Sequence, residues 1–241
     1  MALSPLDIHN LISQGLQTFG SFISRDWQPE EIDLQYNKSK VEFIDDLLDR
    51  AKGLGYQDSQ RLLDSIRELE VVNAELTPIP ATGRDNVLEI TLPAAYKHLI
   101  KSRSKVTYSC IDEQSSKVVK RSLIAPNRLV DSNLLDVVMT DSFSTTDRER
   151  PVTVIANTKL YVYITPSFNI TKIYLDYIKI PNILVLGLDG NGDYNAGAST
   201  NCELSDSSKI LIINRVVKYL SNVNDSDPNK IRNLQIDTKT S

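Results

Sequence analysis

Apolar side chains recur at helical spacing in four stretches of the chain and fall into short, β-branched runs in six others. Residues 6–23, LDIHNLISQGLQTFGSFI, set Ile8, Leu11, Ile12, Leu16, Phe19 and Phe22 at steps of three and four, as an amphipathic helix requires. Gly15 and Gly20 weaken that helix. A second helix starts at Pro29, which suits a first-turn position, and Glu30, Glu31 and Asp33 complement the positive end of its dipole. Its apolar stripe runs through Ile32, Tyr36, Phe43, Ile44, Leu47 and Leu48. After KGLGY the helical spacing resumes over 58–70 with Leu62, Leu63, Ile66 and Leu69, and it returns over 204–221 with Ile210, Ile213, Val217 and Leu220, where Ser205 and Asp206 serve as caps. Between these lie strand-like segments at 87–93, 105–112, 117–126, 151–156, 159–166 and 170–181. TKLYVYI and TKIYLDYIKI alternate most clearly. The stretch 129–150 begins with helix-compatible leucines and ends as a polar connection.

These elements predict an α+β fold: a bundle of three N-terminal helices plus one C-terminal helix, with an inserted antiparallel β-sandwich or barrel. TPIPATGRDNV marks the first boundary. The expected organisation is a helical part at 1–76, a β domain at 77–186, a polar loop at 187–203, a helix at 204–221 that packs on the first three, and a polar tail at 222–241. The tail carries few apolar side chains beyond Ile231 and Leu234, so only a partner can fix it.

At 241 residues and 41% hydrophobic the chain has enough apolar surface for one large domain or two small ones. Its apolar runs fall short of the roughly 18 residues of a membrane span, and residues 1–24 lack the pattern of a secretory signal, so synthesis in the cytoplasm is expected. Cys110 and Cys202 sit far apart without CxxC company and read as free thiols. The net charge of −4 argues against a surface that wraps nucleic acid, yet its distribution is uneven. Residues 26–89 hold fifteen acids against seven bases, and 97–128 hold eight bases against two acids.

Chemistry finds little to work with. His9 and His98 fall in different expected domains, too few to build a nucleophile relay. The phosphate-loop, dinucleotide, HExxH and GxSxG patterns do not occur. Glu30/Glu31 and Asp45/Asp46 are adjacent on a helix and diverge, while Asp112 and Asp176 are the strand carboxylates a glycosidase pair would draw on. In the loop LGLDGNGDYNAGAST, Asp189, Asn191 and Asp193 are spaced two apart, as calcium ligands are. The sixth and twelfth positions hold Tyr194 and Thr200 in place of glycine and glutamate, which favours a polar turn. Lys101, Arg103, Lys105, Lys117, Lys120, Arg121 and Arg128 form a basic region with Tyr108 as its one interleaved aromatic, fewer than stacking readers of nucleic acid carry. Lys101, Arg103, Lys105, Lys120 and Arg121 are candidates for contact with the acids Glu30, Glu31, Asp45 and Asp46 of a neighbouring copy.

The order of DIHNLISQGLQ, PEEIDLQYNKSKVEFIDDLL, LEITLPAAYKHLI and RPVTVIANTKLYVYITPSFNITKIYLDYIKIP resembles the neck proteins of tailed bacteriophages that infect Bacteroidetes, including crAss-like phages. The landmarks are LPAAY at 92–96 and YIKIP at 177–181, where Ile180 separates Lys179 from a proline that the basic residue usually abuts in that family. The resemblance implies a structural, non-enzymatic protein without cofactors. It implies a ring, of twelve copies in the usual case, that sits in the virion under the portal, continues a channel for DNA without binding it specifically, and offers a platform to further neck or tail proteins. The alternative from residues alone is a calcium-dependent β-sandwich binding module.

Overall fold

A computed structural model describes residues 3–19, 27–52, 64–111, 118–141 and 143–224. The chain divides into two compact units, one of residues 1–69 with 181–241 and the other of residues 70–180.

The helical unit holds α1 (Pro5–Phe19), α2 (Pro29–Lys52) and α4 (Asp206–Asn224). Ser4 caps α1: its hydroxyl accepts from the Asp7 amide at 3.2 Å, and the Asp7 carboxylate accepts from the Ser4 amide at 2.9 Å. The Ser4 hydroxyl, which donates to Asp7 Oδ2 at 2.6 Å, and then the Ser4 amide hold the Asp7 carboxyl below its ordinary range. Ser205 does the same for α4, its Oγ accepting from the Ser208 amide at 3.4 Å. The α4 helix packs on both α1 and α2. Ile8, Ile12 and Leu16 are buried with Ile32, Tyr36, Phe43 and Ile44, and with Ile212, Ile213, Val216 and Val217. Leu11 and Ile210, read as core, are 38% and 47% exposed. Gly15 has a packing reason, since a Cβ there would meet the Val217 Cγ2 at 2.8 Å. The glycine that weakens the helix on propensity lets α4 come close.

The β unit contains β1 (Glu70–Leu76), β2 (Ile79–Pro80), β3 (Val87–Thr91), β4 (Tyr96–Ile111), β5 (Val118–Pro126), β6 (Arg128–Leu129), the short α3 (Leu135–Thr140), β7 (Val152–Ala156), β8 (Lys159–Tyr163) and β9 (Phe168–Lys179). They form a four-stranded sheet in the order β1-β9-β4-β5 and a five-stranded sheet in the order β2-β3-β8-β7-β6. Both sheets feed one core, with Val106, Ile173 and Leu175 from the first and Ile90, Leu160 and Val162 from the second. Inward and outward residues alternate along β8 and much of β9, the period-two signal that the sequence displays.

The α+β class stands with four helices and two sheets among the described residues, but the bundle of three N-terminal helices plus one C-terminal helix does not form. Among the described residues two helices, α1 and α2, precede the β unit, and the short α3 lies inside it. The helix expected over 58–70 falls partly outside the described residues. Its end is a 3-10 turn, Arg67–Leu69, from which the chain passes directly into β1. Nor is the β part wholly antiparallel, since β6 runs parallel to β7. The units divide at 69/70 and 180/181, where 76/77 and 186/187 were expected. The reason is long-range pairing: Glu70–Leu76 is a strand because β9 offers it a hydrogen-bonding edge, a partner that local spacing does not announce.

Candidate functional site

The basic region lies on β4 and β5. Along β4, Ser102, Ser104 and Val106 are buried, so Arg103, Lys105, Thr107 and Ser109 take the outer face. Arg103 is engaged within its own sheet: its Nη2 lies 3.3 Å from Asp176 Oδ2 and also donates to Asn73 Oδ1. Asn73, at a φ of 56°, sits where β1 shifts register against β9, and its amide donates to Asp176 Oδ1 at 2.7 Å. Lys172 donates to Glu75 on the same face, and that bond, reinforced by the glutamate's charge, raises the ammonium above its ordinary range. Lys105 pairs in register with Lys172, a like-charge juxtaposition that disfavours the isolated sheet. The side chains of Lys101, Lys105, Lys120 and Arg121 have no hydrogen bond or ion pair among the described residues. Arg128 donates to the Ser144 carbonyl at 3.1 Å, and Lys117 lies outside the described residues. The ring of Tyr108 is covered by the Arg148 guanidinium, 4.7 Å from its centroid, which occupies one stacking face.

The acids proposed as their counterparts sit on α2 and are mostly engaged at home. Glu31 accepts from the Gln28 amide at 3.1 Å, half of a capping box, and Asp46 pairs with Arg215 at 2.8 Å. Asp45 has a partner as well, while exposed Glu30 has none among the described residues.

A polar stripe on α2, unremarked in the sequence, grips the chain where it re-enters the helical unit. Asn37 Oδ1 accepts from the Leu184 amide and Asn37 Nδ2 donates to the Leu184 carbonyl, both at 2.8 Å. Asp33 Oδ2 accepts from the Leu186 amide at 2.9 Å, and its Oδ1 lies 2.7 Å from His9 Nε2. Lys40, only 2% exposed, donates to Asn37 Oδ1 at 2.8 Å and to the Asn182 carbonyl. The available signal was the spacing of Asp33, Asn37 and Lys40 at i, i+4 and i+7 beside the apolar stripe. Burial lowers the Lys40 ammonium below its ordinary range against the pull of Cys202 and Glu203, and burial likewise raises the Tyr36 phenol. Since folded Lys40 releases its proton at lower pH than unfolded lysine does, its contribution to stability grows as pH rises through that window. Denaturant titrations of wild type and Lys40→Met should show a wild-type gain as pH rises toward the ordinary lysine range that the variant lacks.

The loop with the calcium-like spacing is a self-satisfied hairpin. Val185 bridges Thr200, and Leu188 bridges Tyr194. Asp189 Oδ1 accepts from the amides of Asn191 and Asp193 at 2.8 and 2.9 Å, and Gly192 turns the chain at a φ of 88°. Gly187 lies so close to the opposite arm that a Cβ would stand 2.5 Å from the Ala198 carbonyl carbon. Asp189, Asn191 and Asp193 are therefore explained as turn residues, and no group of three or more His, Cys, Asp or Glu among the described residues is placed to hold a metal. Excess EDTA is expected to leave the melting temperature within about 1 °C, whereas a filled calcium site would lose several degrees.

Of the carboxylates considered for hydrolysis, Asp176 serves Arg103 and Asn73, and Asp112 lies outside the described residues. Cys110 and Cys202 are free, the latter buried. His9 is buried against Asp33, and His98 also has a partner. No described helix is long and apolar enough to cross a membrane. No family model matches the chain, and no curated protein matches it either.

Proposed function

We propose that this protein is a ring-forming head-to-tail adaptor of a tailed bacteriophage, which extends the portal channel for DNA and gives neck or tail proteins a platform. The observation that carries the reading is the set of cations whose side chains have no partner among the described residues, Lys101, Lys105, Lys120 and Arg121, gathered on one sheet of a chain whose net charge is −4. In a closed ring one face of a subunit meets a different face of the next, so each copy must carry two unlike surfaces. Segregated charge supplies them and sets the register of encounter. Among the carboxylates weighed for catalysis, Asp176, Glu31 and Asp46 support the same reading, because they bond to backbone amides and cations of their own chain. The succession of segments that resembles the phage neck proteins points the same way. The protein then works by shape and self-contact, requires no cofactor, and resides in the virion.

Electron microscopy of purified particles, combined with peptide mapping of their components, tests this. The chain is expected in the particle as a ring at the head-to-tail junction. Its absence from particles, or turnover of a small molecule by the purified chain, would overturn the reading.

A further inference from the structure

We infer that β5 of one copy pairs with β1 of the next, so that the four-stranded sheet runs on from subunit to subunit. This contact rests on the ring reading above and names the surfaces that build it. In the order β1-β9-β4-β5, the strands β1 and β5 are the two edges, and each presents one row of backbone groups without a strand to meet it. All three pairings within the sheet are antiparallel, so β1 and β5 run in opposite directions. A second copy in the same orientation therefore lays its β1 antiparallel to β5, and the alternation continues unbroken. Such a contact joins two different edges, which is the head-to-tail geometry of a ring.

The side chains select this pairing over the symmetric ones. β5 carries Lys120 and Arg121 and no acid, while β1 carries Glu70 and Glu75 and no base. Two β5 edges would bring cation against cation, and two β1 edges acid against acid, each unfavourable across a sheet. Only β5 with β1 matches opposite charges, with Lys120 on the face of both acids and Arg121, opposite Tyr108, on the other. Lys120 stands opposite Ser109, which shares the outer face with Arg103 and Lys105. Glu75 meets Lys172 on that face, and Glu70, opposite Ile178, shares it because the irregularity at Val72 and Asn73 preserves the side of both acids. The Glu70 carboxylate has no hydrogen bond or ion pair among the described residues. Exposed apolar side chains flank the charges at both edges: Val118 at 72% and Ile124 at 60% on β5, and Val72 at 58% on β1. Burial of these against a neighbour strand provides the attraction that charge alone does not.

Native mass spectrometry and sedimentation of the full chain test the contact with three variants: Lys120→Glu with Arg121→Glu, Glu70→Lys with Glu75→Lys, and all four together. Each reversal of one edge is expected to weaken assembly at least about tenfold, and the fourfold variant to return to within about threefold of wild type. Far-UV circular dichroism and melting curves establish folding. Glu70→Lys alone, which disturbs no ion pair among the described residues, replaces its double variant should Glu75→Lys unfold the protein. A wild type that stays monomeric at every concentration would overturn the ring reading itself. Rings that persist unchanged through both reversals, or a fourfold variant that fails to recover, would overturn this contact and leave the ring reading standing.

Discussion

Asp176→Ala should lower the stability of the β unit by about 3 kcal/mol, the scale for removing one partner of a largely buried ion pair. The carboxylate is 8% exposed as a residue and accepts from the Asn73 amide at 2.7 Å while facing Arg103 Nη2 at 3.3 Å. Its loss leaves the Arg103 guanidinium with Asn73 Oδ1 but no counter-charge and leaves a backbone amide of β1 without its acceptor, at a position where the strand already departs from regular pairing. Asp176→Asn retains an oxygen for Asn73 and removes the charge, so it should cost about half as much. Urea denaturation of the three proteins checks the order. Equal midpoints for wild type and Asp176→Ala would show that the group has no structural role and would reopen a chemical one. The same variant bears on assembly, because it loosens the acidic edge proposed to meet β5 of the next copy. Its folding loss should therefore be accompanied by a weaker ring.

Asn37→Ala is the second large effect, expected at about 2 to 4 kcal/mol. One side-chain amide satisfies both the amide and the carbonyl of Leu184, a residue with no exposed surface. Alanine leaves both backbone groups buried and unpaired, and each such group costs about 1 to 3 kcal/mol. Asn37 Oδ1 also receives Lys40, so the ammonium loses one of its two acceptors. Hydrogen exchange reads the effect locally: protection should fall at the Leu184 and Leu186 amides before it falls across α1 and α2. Uniform loss along the unit would mean that Asn37 acts through global stability alone. Asn37 and Leu184 are 147 positions apart in the chain, which is why the bond is invisible to local pattern.

Propensity and periodicity determined α1, α2, α4 and the central strands, because a helix or strand with one buried face repeats its apolar side chains at its own period. The caps at Ser4 and Ser205 are local too, since hydroxyl and amide lie within one turn. Charge segregation was likewise legible from counting alone: of the eight bases of 97–128, six map onto β4 and β5. Tertiary structure decided which of those charges remain available. Arg103, Glu31 and Asp46 read like their neighbours in sequence, yet an Asn73–Asp176 pair, a capping position and Arg215 occupy them. It also decided that Glu70–Leu76 is a strand, that the calcium-like loop folds onto its own amides, and that β1 and β5 form two edges of opposite charge. A strand's partner, and therefore its edge, is chosen by residues a hundred positions away. Side-chain period carries no record of that choice, because hydrogen bonds between strands depend on which segments the chain brings together rather than on the spacing within any one of them.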